Sequence, residues 1–239
     1  MARESISVVS AMFNEAESIA NTLSNWANFL DEFAKQKQID YEIILVDDAS
    51  TDNSLEVAQE QKLNKMTIIQ NGTNLGAGKS LSFAISAAKY KYILVLDSDN
   101  QFPISNLNSV WPLRGDNTVV AGRRRSKQAG LSAKLGSKFS NTLFHLLISN
   151  KISDSNCAFK LIPRWAFTNT PIRGNRMLYS GEHSYICLRN NLAVENVAVS
   201  HVSRRGGLSK TKLLRDGVGR LIFTVFLGLE FYLVKRKLI

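Results

Sequence analysis

Several residue types and patterns are scarce in this sequence, and each scarcity excludes a class of protein. The two cysteines are too few for a disulfide-stabilised secreted domain and lack metal-ligand spacing, and the three histidines are scattered along the chain. The opening residues MARESISVVS lack the apolar core of a secretory signal peptide, and no internal repeat or low-complexity tract is present. These absences predict a globular protein that is made in the cytoplasm and stays there.

Acidic residues are outnumbered by basic ones. The chain has 20 Asp and Glu against 30 Lys and Arg, which gives a formal charge of +10 and a pI near 9.7. Such an excess favours an anionic partner, either nucleic acid, a phosphorylated substrate or an acidic lipid surface. An ordinary solvated basic surface would also account for part of it. Much of the charge lies at 123–125, 204–212 and 235–237.

Strand-like and helix-like patterns alternate over the first 100 residues. Apolar, β-branched runs predict strands at 5–12, 41–48, 66–71 and 92–99, with helical patterns between them. Later patterns predict a helix at 132–149, a C-terminal helix from 213 onward, and strand segments at 119–125, 157–167 and 192–203. The alternation predicts an α/β fold with a mostly parallel sheet and crossover helices.

Polar clusters follow three of the predicted strands, at 14–15, 47–48 and 97–99. Ligands of such sheets bind beyond the carboxyl ends of the strands, although acidic residues there also cap helices and form turns. The pair Asp97 and Asp99 is less easily explained by capping, because two close carboxylates repel each other unless a cation or proton intervenes. The sequence therefore predicts a binding site at this edge.

The segment NLGAGKS at 74–80 raises a separate alternative, a phosphate-binding P-loop. That motif requires glycine five residues before Gly78, where this chain has Thr73, so Gly72 is one residue out of register. A P-loop NTPase would hydrolyse ATP or GTP in a reaction that depends on Lys79. The mismatch in register argues against a P-loop, so these glycines need another explanation.

The order of the motifs resembles glycosyltransferase family two, in particular the branch of dolichyl-phosphate mannose synthases and bacterial polyprenyl-phosphate sugar transferases. The segments that carry the resemblance are MFNEAESI, LVDDASTDNS, NLGAGKSLSFAI, LVLDSDNQFP, AGRRR, DSNCAFKL and RRGGLSK. The resemblance implies the GT-A (nucleotide-diphospho-sugar transferase) fold, a Rossmann-like, mostly parallel sheet flanked by helices. It implies a catalytic domain over 1–211, and the helical pattern after that domain predicts a C-terminal amphipathic helix over 212–239.

Sugar transfer from a nucleotide donor leaves negative charge on a diphosphate, and a divalent cation such as Mg²⁺ or Mn²⁺ stabilises that charge. The resemblance assigns this cation to Asp97, Asp99 and Gln101, with Asp99 also counted as catalytic. In an ideal strand the side chains of Asp97 and Asp99 would point the same way.

The resemblance also implies a binding site for the nucleotide-sugar donor, in which Asp48 hydrogen-bonds the base or ribose. The other residues assigned to substrate binding on the donor side are Ala11, Asn14, Glu15, Asp47, Asn74, Gly76, Arg204, Ser209 and Lys210. Among them, Arg204 and Lys210 would hold the donor diphosphate. Ala11 stands where the family usually has proline, which weakens the match of the first loop.

The implied acceptor is the phosphate of a polyprenyl lipid, bound by Arg124 and Lys138. Arginine suits this role because its planar fork matches phosphate oxygens. Asp154 and Glu182 are the candidates for a general base. A phosphomonoester has its second pKa near 6 and is already ionised at neutral pH, so only a hydroxyl acceptor would need such a base.

The C-terminal pattern from Leu221 to Val234, about 14 residues, is apolar except for Thr224, Gly228 and Glu230, and basic residues follow directly. A bilayer-spanning helix needs about 20 residues. The pattern favours a helix that lies on an anionic membrane surface, peripheral to the cytoplasmic face. The alternative is a helix that docks on the domain or on another subunit.

We therefore predict an inverting, metal-dependent glycosyltransferase that moves a sugar from a GDP- or UDP-sugar to polyprenyl phosphate. One alternative acceptor is a hydroxyl of a surface glycan. Another alternative is a basic nucleic-acid-binding protein, whose binding would depend steeply on salt. That alternative gives no reason for the Asp97 and Asp99 pair, so no nucleic-acid partner is expected.

Overall fold

A computed structural model describes residues 4–125, 131–168, 170, 172–174, 178–202 and 213–237. These residues contain one seven-stranded sheet with the strand order β3-β2-β1-β4-β6-β5-β7. The strands are β1 (Ser5–Met12), β2 (Asp40–Asp47), β3 (Met66–Gln70), β4 (Tyr92–Val95), β5 (Thr118–Arg124), β6 (Lys160–Pro163) and β7 (Ala193–Val199).

Helices cover the sheet. They are α1 (Ile19–Lys37), α2 (Ser54–Glu60), α3 (Ala77–Ala87), α4 (Leu107–Val110), α5 (Leu131–Leu147), α6 (Tyr179–Arg189) and α7 (Leu213–Lys235). The central strands are buried almost throughout their length, which explains the apolar runs at 43–46 in β2 and 92–95 in β4. The predicted α/β architecture, a mostly parallel sheet flanked by helices, is confirmed.

Strand direction brings the chemistry-bearing segments to one edge. Strand β1 is parallel to both β2 and β4, so the carboxyl ends of all three lie together. Strand β6 is antiparallel to β4, and its first residue, Lys160, pairs with the last residue of β4, Val95. The loop before β6 therefore arrives at the same edge as the residues after β4. Strand β5 is also antiparallel to β6, which places Arg124 at this edge.

Helix α6 was not predicted from the sequence. Its residues from Tyr179 to Leu188 are buried except for Gly181, so the segment has no polar face and shows no amphipathic period. Glycine and two serines also lower its helix propensity. Hydrophobic periodicity did not predict α6, because a helix that is buried on nearly all sides has no alternation of apolar and polar faces.

Helix α7 packs on α5 and α6. A Cβ atom on Gly228 would lie 2.7 Å from the Cβ atom of Leu147, so α7 approaches α5 closely at this glycine. Glu230 joins α7 to the body of the protein through ion pairs of 2.5 Å with Arg173 and 2.6 Å with Arg189. Among the helices of the described residues, none has the length and apolar character to cross a bilayer.

Candidate active site

The site lies beyond the carboxyl ends of β1, β2 and β4, where open α/β sheets bind ligands. Strand β4 ends at Val95, four residues earlier than predicted, so Asp97 and Asp99 lie in the turn that follows it. The expectation that strand geometry aligns the two carboxylates is therefore wrong. Asn100, which follows them, has a positive φ of 57°. The two aspartates instead take their orientation from separate hydrogen bonds.

Asp97 accepts a short hydrogen bond from the hydroxyl of Tyr179, the first residue of α6. Oδ1 of Asp99 accepts a hydrogen bond of 3.1 Å from the backbone N–H of Gln101. Burial raises the pKa of Asp97, and the hydrogen bond from Tyr179 and the positive charges of Arg124 and Lys160 act in the opposite direction. A cation at this position would favour the ionised form of the carboxylate.

The first loop joins this turn from the side of β1. The hydroxyl of Ser98, between the two aspartates, donates to the carbonyl oxygen of Ala11 at 2.9 Å. Asn14 has a positive φ of 53° and accepts from the backbone N–H of Thr51 at 2.7 Å. Glu15 lies close enough for its charge to raise the pKa of Asp97. The predicted residues of this loop are therefore brought to the predicted site.

Asp48 is buried at the end of β2 and organises the glycine segment. Its carboxylate accepts hydrogen bonds from the backbone N–H groups of Leu75 and Gly76, both 2.8 Å, and from the side chains of Asn71 and Ser80 at 3.0 and 2.9 Å. The same carboxylate was predicted to bind the base or ribose. In the structure it holds the loop that starts α3.

This geometry contradicts the P-loop alternative. In a P-loop the backbone N–H groups and the hydroxyl would face a phosphate, yet here Gly76 and Ser80 donate to Asp48. Lys79 is exposed and its ammonium lies 5.6 Å from the centre of the Phe83 ring. Gly76 has a φ of 87°, so a residue without a side chain is required at the turn before α3.

The remaining donor-side residues of this region support neighbouring loops. Asp47 is buried and accepts a hydrogen bond of 2.5 Å from the hydroxyl of Ser50. The amide of Asn74 donates to the backbone carbonyl of Asp48 at 3.2 Å.

Arg124, at the end of β5, forms a two-pronged ion pair with Asp154. Its Nε and Nη2 donate to the two carboxylate oxygens at 2.8 and 2.9 Å, and both side chains are largely buried. Two residues earlier, a Cβ atom on Gly122 would lie 2.7 Å from the backbone oxygen of Phe159. Glycine thus allows β5 to pack closely against the start of β6, which sets Arg124 beside Asp154.

Glu182 is fully buried in the first turn of α6. One carboxylate oxygen accepts from the backbone N–H of Arg173 at 2.8 Å and the other from that of Gly174 at 2.7 Å. Burial raises the pKa of this carboxyl, while those two backbone hydrogen bonds lower it. Glu182 thus anchors residues 173–174. Lys138, the other residue assigned to the acceptor, is exposed on α5.

Residues 200–202, which follow β7, are hydrogen-bonded to the turn after β4. The backbone N–H of Val202 donates to the carbonyl of Gln101 at 2.9 Å, and the ring of His201 lies 4.8 Å from that of Phe102. The amide nitrogen of Gln101 contacts the carbonyl of Val202 at 3.4 Å. The predicted donor-binding residues Arg204, Ser209 and Lys210 lie outside the described residues.

The model of the family described as Glycosyl transferase family 2 matches residues 7–177. That range contains the ends of β1, β2, β4 and β5 and the segment that leads into β6. The chain belongs to glycosyl transferase family 2.

Curated relatives include sugar transferases named for lipid-phosphate acceptors. The undecaprenyl-phosphate 4-deoxy-4-formamido-L-arabinose transferase of Proteus mirabilis is 28% identical over 88% of this chain and 64% of that protein. The dolichyl-phosphate beta-glucosyltransferase of Dictyostelium discoideum is 25% identical over 94% of this chain and 76% of that protein. The chain thus spans less than two thirds of the length of the Proteus relative.

Solved structures share the fold at low sequence identity. The glucosyl-3-phosphoglycerate synthase of Mycobacterium tuberculosis, in complex with Mn²⁺, UDP and phosphoglyceric acid, gives a TM-score of 0.69 at 18% identity, covering 95% of this chain and 78% of that one. The mannosyl-3-phosphoglycerate synthase of Rubrobacter xylanophilus gives 0.65 at 16% identity, covering 99% and 76%. The GT-A fold expected from the motifs is confirmed.

The donor set at the turn after β4 fits a hard divalent cation. Among the described residues there is no group of three or more His, Cys, Asp or Glu side chains that could hold a metal. Mg²⁺ usually binds through one or two carboxylates together with substrate phosphates rather than in an all-protein cage. Asp97 and Asp99 supply two carboxylates at the edge where open α/β sheets bind ligands, which is compatible with this mode of binding. The specific roles of the site residues stay predictions.

Sequence reasoning missed two residues that shape the site, Tyr179 and Lys160. The ammonium of Lys160 is fully buried and donates to the backbone carbonyls of Ser155, Cys157 and Ser180. Burial lowers its pKa. A single cation in the apolar segment CAFKLIP was the available signal for Lys160. No local pattern marked Tyr179.

Proposed function

We propose that this protein is an inverting glycosyltransferase that moves a sugar from a nucleotide-diphosphate sugar to the phosphate of a polyprenyl lipid. Family membership and the names of the curated relatives support a sugar transferase with this class of acceptor. The choice of acceptor depends on the hydrogen bonds of Asp154 and Glu182, the two candidate general bases. Both are engaged in other contacts.

A hydroxyl acceptor has to lose a proton, and a general base must be available to take it. Asp154 is paired with Arg124 through both oxygens, and both oxygens of Glu182 accept backbone N–H groups. A phosphate acceptor needs no such base, because it is ionised at neutral pH. The geometry therefore favours a phosphate over a hydroxyl as the acceptor, and the names of the curated relatives support a lipid phosphate.

Arg124 is suited to hold the acceptor phosphate. A guanidinium has five N–H groups, and the contacts with Asp154 use two of them. Because the buried Asp154 carboxylate fixes the orientation of the guanidinium, the remaining N–H groups of Arg124 would already be in place when a phosphate binds. Asp154 thus serves as the orienting partner of Arg124 in this proposal.

On the donor side, Asp97 and Asp99 would hold Mg²⁺ or Mn²⁺, with Gln101 beside them. The cation neutralises the charge that develops on the departing nucleoside diphosphate. A solved structure of the same fold contains Mn²⁺ with UDP, which supports this cofactor class. Asp48 would act by holding the 71–80 loop in place beside the nucleotide, and Arg204 and Lys210 would hold the diphosphate.

We also propose that α7 lies on the anionic surface of the membrane that contains the acceptor, peripheral to its cytoplasmic face. Six apolar side chains of this helix are 48–66% exposed, and at helical periodicity they share one face: Val218, Ile222, Val225, Phe226, Leu229 and Tyr232. Exposed basic residues follow at 235–237. An apolar face next to basic residues matches acyl chains below anionic headgroups. In this proposal residues 1–211 are the catalytic domain and 212–239 the membrane-facing helix.

The activity test is incubation of the purified protein with radiolabelled GDP- or UDP-sugars, Mn²⁺ and polyprenyl phosphate. Label extracted with the lipid is the expected result. Transfer to an oligosaccharide instead would favour a hydroxyl acceptor, and transfer to 3-phosphoglycerate would favour a small phosphorylated acceptor. Asp99→Ala is expected to abolish transfer while its circular dichroism spectrum stays unchanged. Full activity of that variant in metal-free buffer would refute the proposed mechanism.

The membrane test is sedimentation with vesicles that contain phosphatidylglycerol. Ile222→Asp and Leu229→Asp are expected to reduce the bound fraction because they place charge in the apolar face. Leu113→Asp is the matched control, since Leu113 is 42% exposed in a different part of the fold. If the α7 variants bound vesicles as well as the control did, the apolar face would not be the membrane contact.

A further inference from the structure

Tyr179 contacts the carboxylate of Asp97 although 82 positions separate the two residues in the sequence. Its side chain is buried, and its ring lies 5.6 Å from that of His183. Burial and the charge of Asp97 raise the pKa of Tyr179 well above its ordinary value, so the hydroxyl keeps its proton and acts as the donor. The contact therefore links the start of α6 to the candidate cation site.

Lys160 fixes the backbone from which Tyr179 projects. Its ammonium donates to the carbonyl of Ser180, the next residue, and to that of Ser155, each at 3.2 Å. The hydroxyl oxygen of Ser184 lies 3.0 Å from each of these two carbonyl oxygens, and its single proton is donated to them. These bonds tie the first turn of α6 to the loop before β6, so the Tyr179 hydroxyl has a defined position.

Asp97 needs such a partner because the sheet does not orient it. The strand ends at Val95, and Asp97 lies in the turn beyond the last pair of the ladder. A carboxylate on a turn can rotate about its side-chain torsions, whereas a cation requires its oxygens at defined positions. A hydrogen bond to one carboxylate oxygen restricts that rotation.

We propose that Tyr179 is a positioning residue that holds the Asp97 carboxylate in the orientation that a divalent cation requires. This inference rests on the proposed function, in which Asp97 is a ligand of the cation. Hydrogen-bonding partners of metal ligands typically change metal affinity by about 10- to 100-fold when they are removed. Loss of the Tyr179 hydroxyl is expected to have an effect of that size on cation binding.

The test is Tyr179→Phe, which removes the hydroxyl and keeps the ring that packs on His183. Binding of Mn²⁺ is measured by electron paramagnetic resonance of the free ion, without nucleotide and with saturating UDP or GDP. The dissociation constant for Mn²⁺ is expected to rise about 10- to 100-fold. Tyr185→Phe is the matched control, because Tyr185 is a buried tyrosine of the same helix whose hydroxyl contacts Arg189. Asp97→Asn should weaken binding at least as much as Tyr179→Phe.

Thermal unfolding of the metal-free variants separates positioning from stability. The inference predicts weaker Mn²⁺ binding by Tyr179→Phe than by Tyr185→Phe even where both lose the same stability. Equal Mn²⁺ affinity of wild type and Tyr179→Phe would overturn this inference and leave the proposed function intact. If the wild-type protein bound no Mn²⁺ with either nucleotide, the metal assignment in the proposed function would fail, and this inference with it.

Discussion

Replacement of Asp48 by asparagine is expected to destabilise the fold as well as to weaken donor binding. The carboxylate is buried and accepts four hydrogen bonds, three at Oδ1 and one at Oδ2. The donors are Asn71, Leu75, Gly76 and Ser80. All four belong to the segment that starts α3, so the substitution acts on the whole loop.

The magnitude follows from the donors. Asparagine keeps one acceptor oxygen and presents an NH₂ group at the other position, so at least one buried N–H loses its acceptor, at a cost of about 1–3 kcal/mol. The other three bonds lose the charge of their acceptor, and the difference between charged and neutral hydrogen bonds is roughly 1 kcal/mol each. The free energy of unfolding should therefore fall by about 4–6 kcal/mol, a large share of the roughly 5–15 kcal/mol of a typical domain.

Urea unfolding followed by tryptophan fluorescence measures this loss, since Trp26 and Trp111 are buried in the core. Ser80→Ala removes one donor to the carboxylate and should cost about 1–3 kcal/mol. Lys79→Ala changes an exposed residue and should stay within about 0.5 kcal/mol of wild type. A loss below about 1 kcal/mol for Asp48→Asn would refute the view that this carboxylate holds the loop.

Two further predictions test the packing around the site. His183 is buried, which lowers its pKa from 6.5 to about 3, so its contribution to stability is present above pH 6.5 and is lost as the pH falls toward 3. The free energy of unfolding of His183→Leu should therefore change less steeply with pH between 6.5 and 3, by up to about 1.4 kcal/mol per pH unit. The same pH dependence in the variant and the wild type would contradict this. Gly122→Ala should cost about 1–3 kcal/mol because its Cβ would meet the Phe159 carbonyl at 2.7 Å. Gly136→Ala, where nothing lies within 4 Å, should instead stabilise helix α5 by up to about 1 kcal/mol, and equal effects of the two changes would refute the packing argument.

The predicted strand and helix positions agree with the structure over most of the chain. Strands β1 and β2 were predictable because buried strands favour apolar and β-branched residues, which a sequence displays directly. Strand β3 is only partly buried, and its β-branched residues marked it as a strand. Strand β4 was predicted four residues too long, because Leu96 continues the apolar run after the last ladder pair at Val95 and no turn residue marks the end of the strand there. Helix α6 was missed because it is buried on nearly all sides.

The candidate site was predicted in part. Polar clusters after β1, β2 and β4 come together because parallel strands end at one edge, and that edge follows from strand order alone. The strand order did not predict the hydrogen-bonding partners of these side chains. Glu182 was, with Asp154, one of two candidates for a general base, and in the structure its oxygens anchor the backbone of residues 173–174. Its catalytic role stays a prediction that this anchoring does not favour.

The sequence by itself determined the alternation of strands and helices, the edge at which the acidic clusters meet and the family to which the chain belongs. These depend on local periodicity and on short motifs, each of which is visible within a single segment of the sequence. The tertiary structure decided that Asp154 pairs with Arg124, that Tyr179 meets Asp97 and that the ammonium of Lys160 is buried. Such pairings join segments far apart in the chain. They depend on where the antiparallel strand β6 and helix α6 pack, which no local pattern encodes.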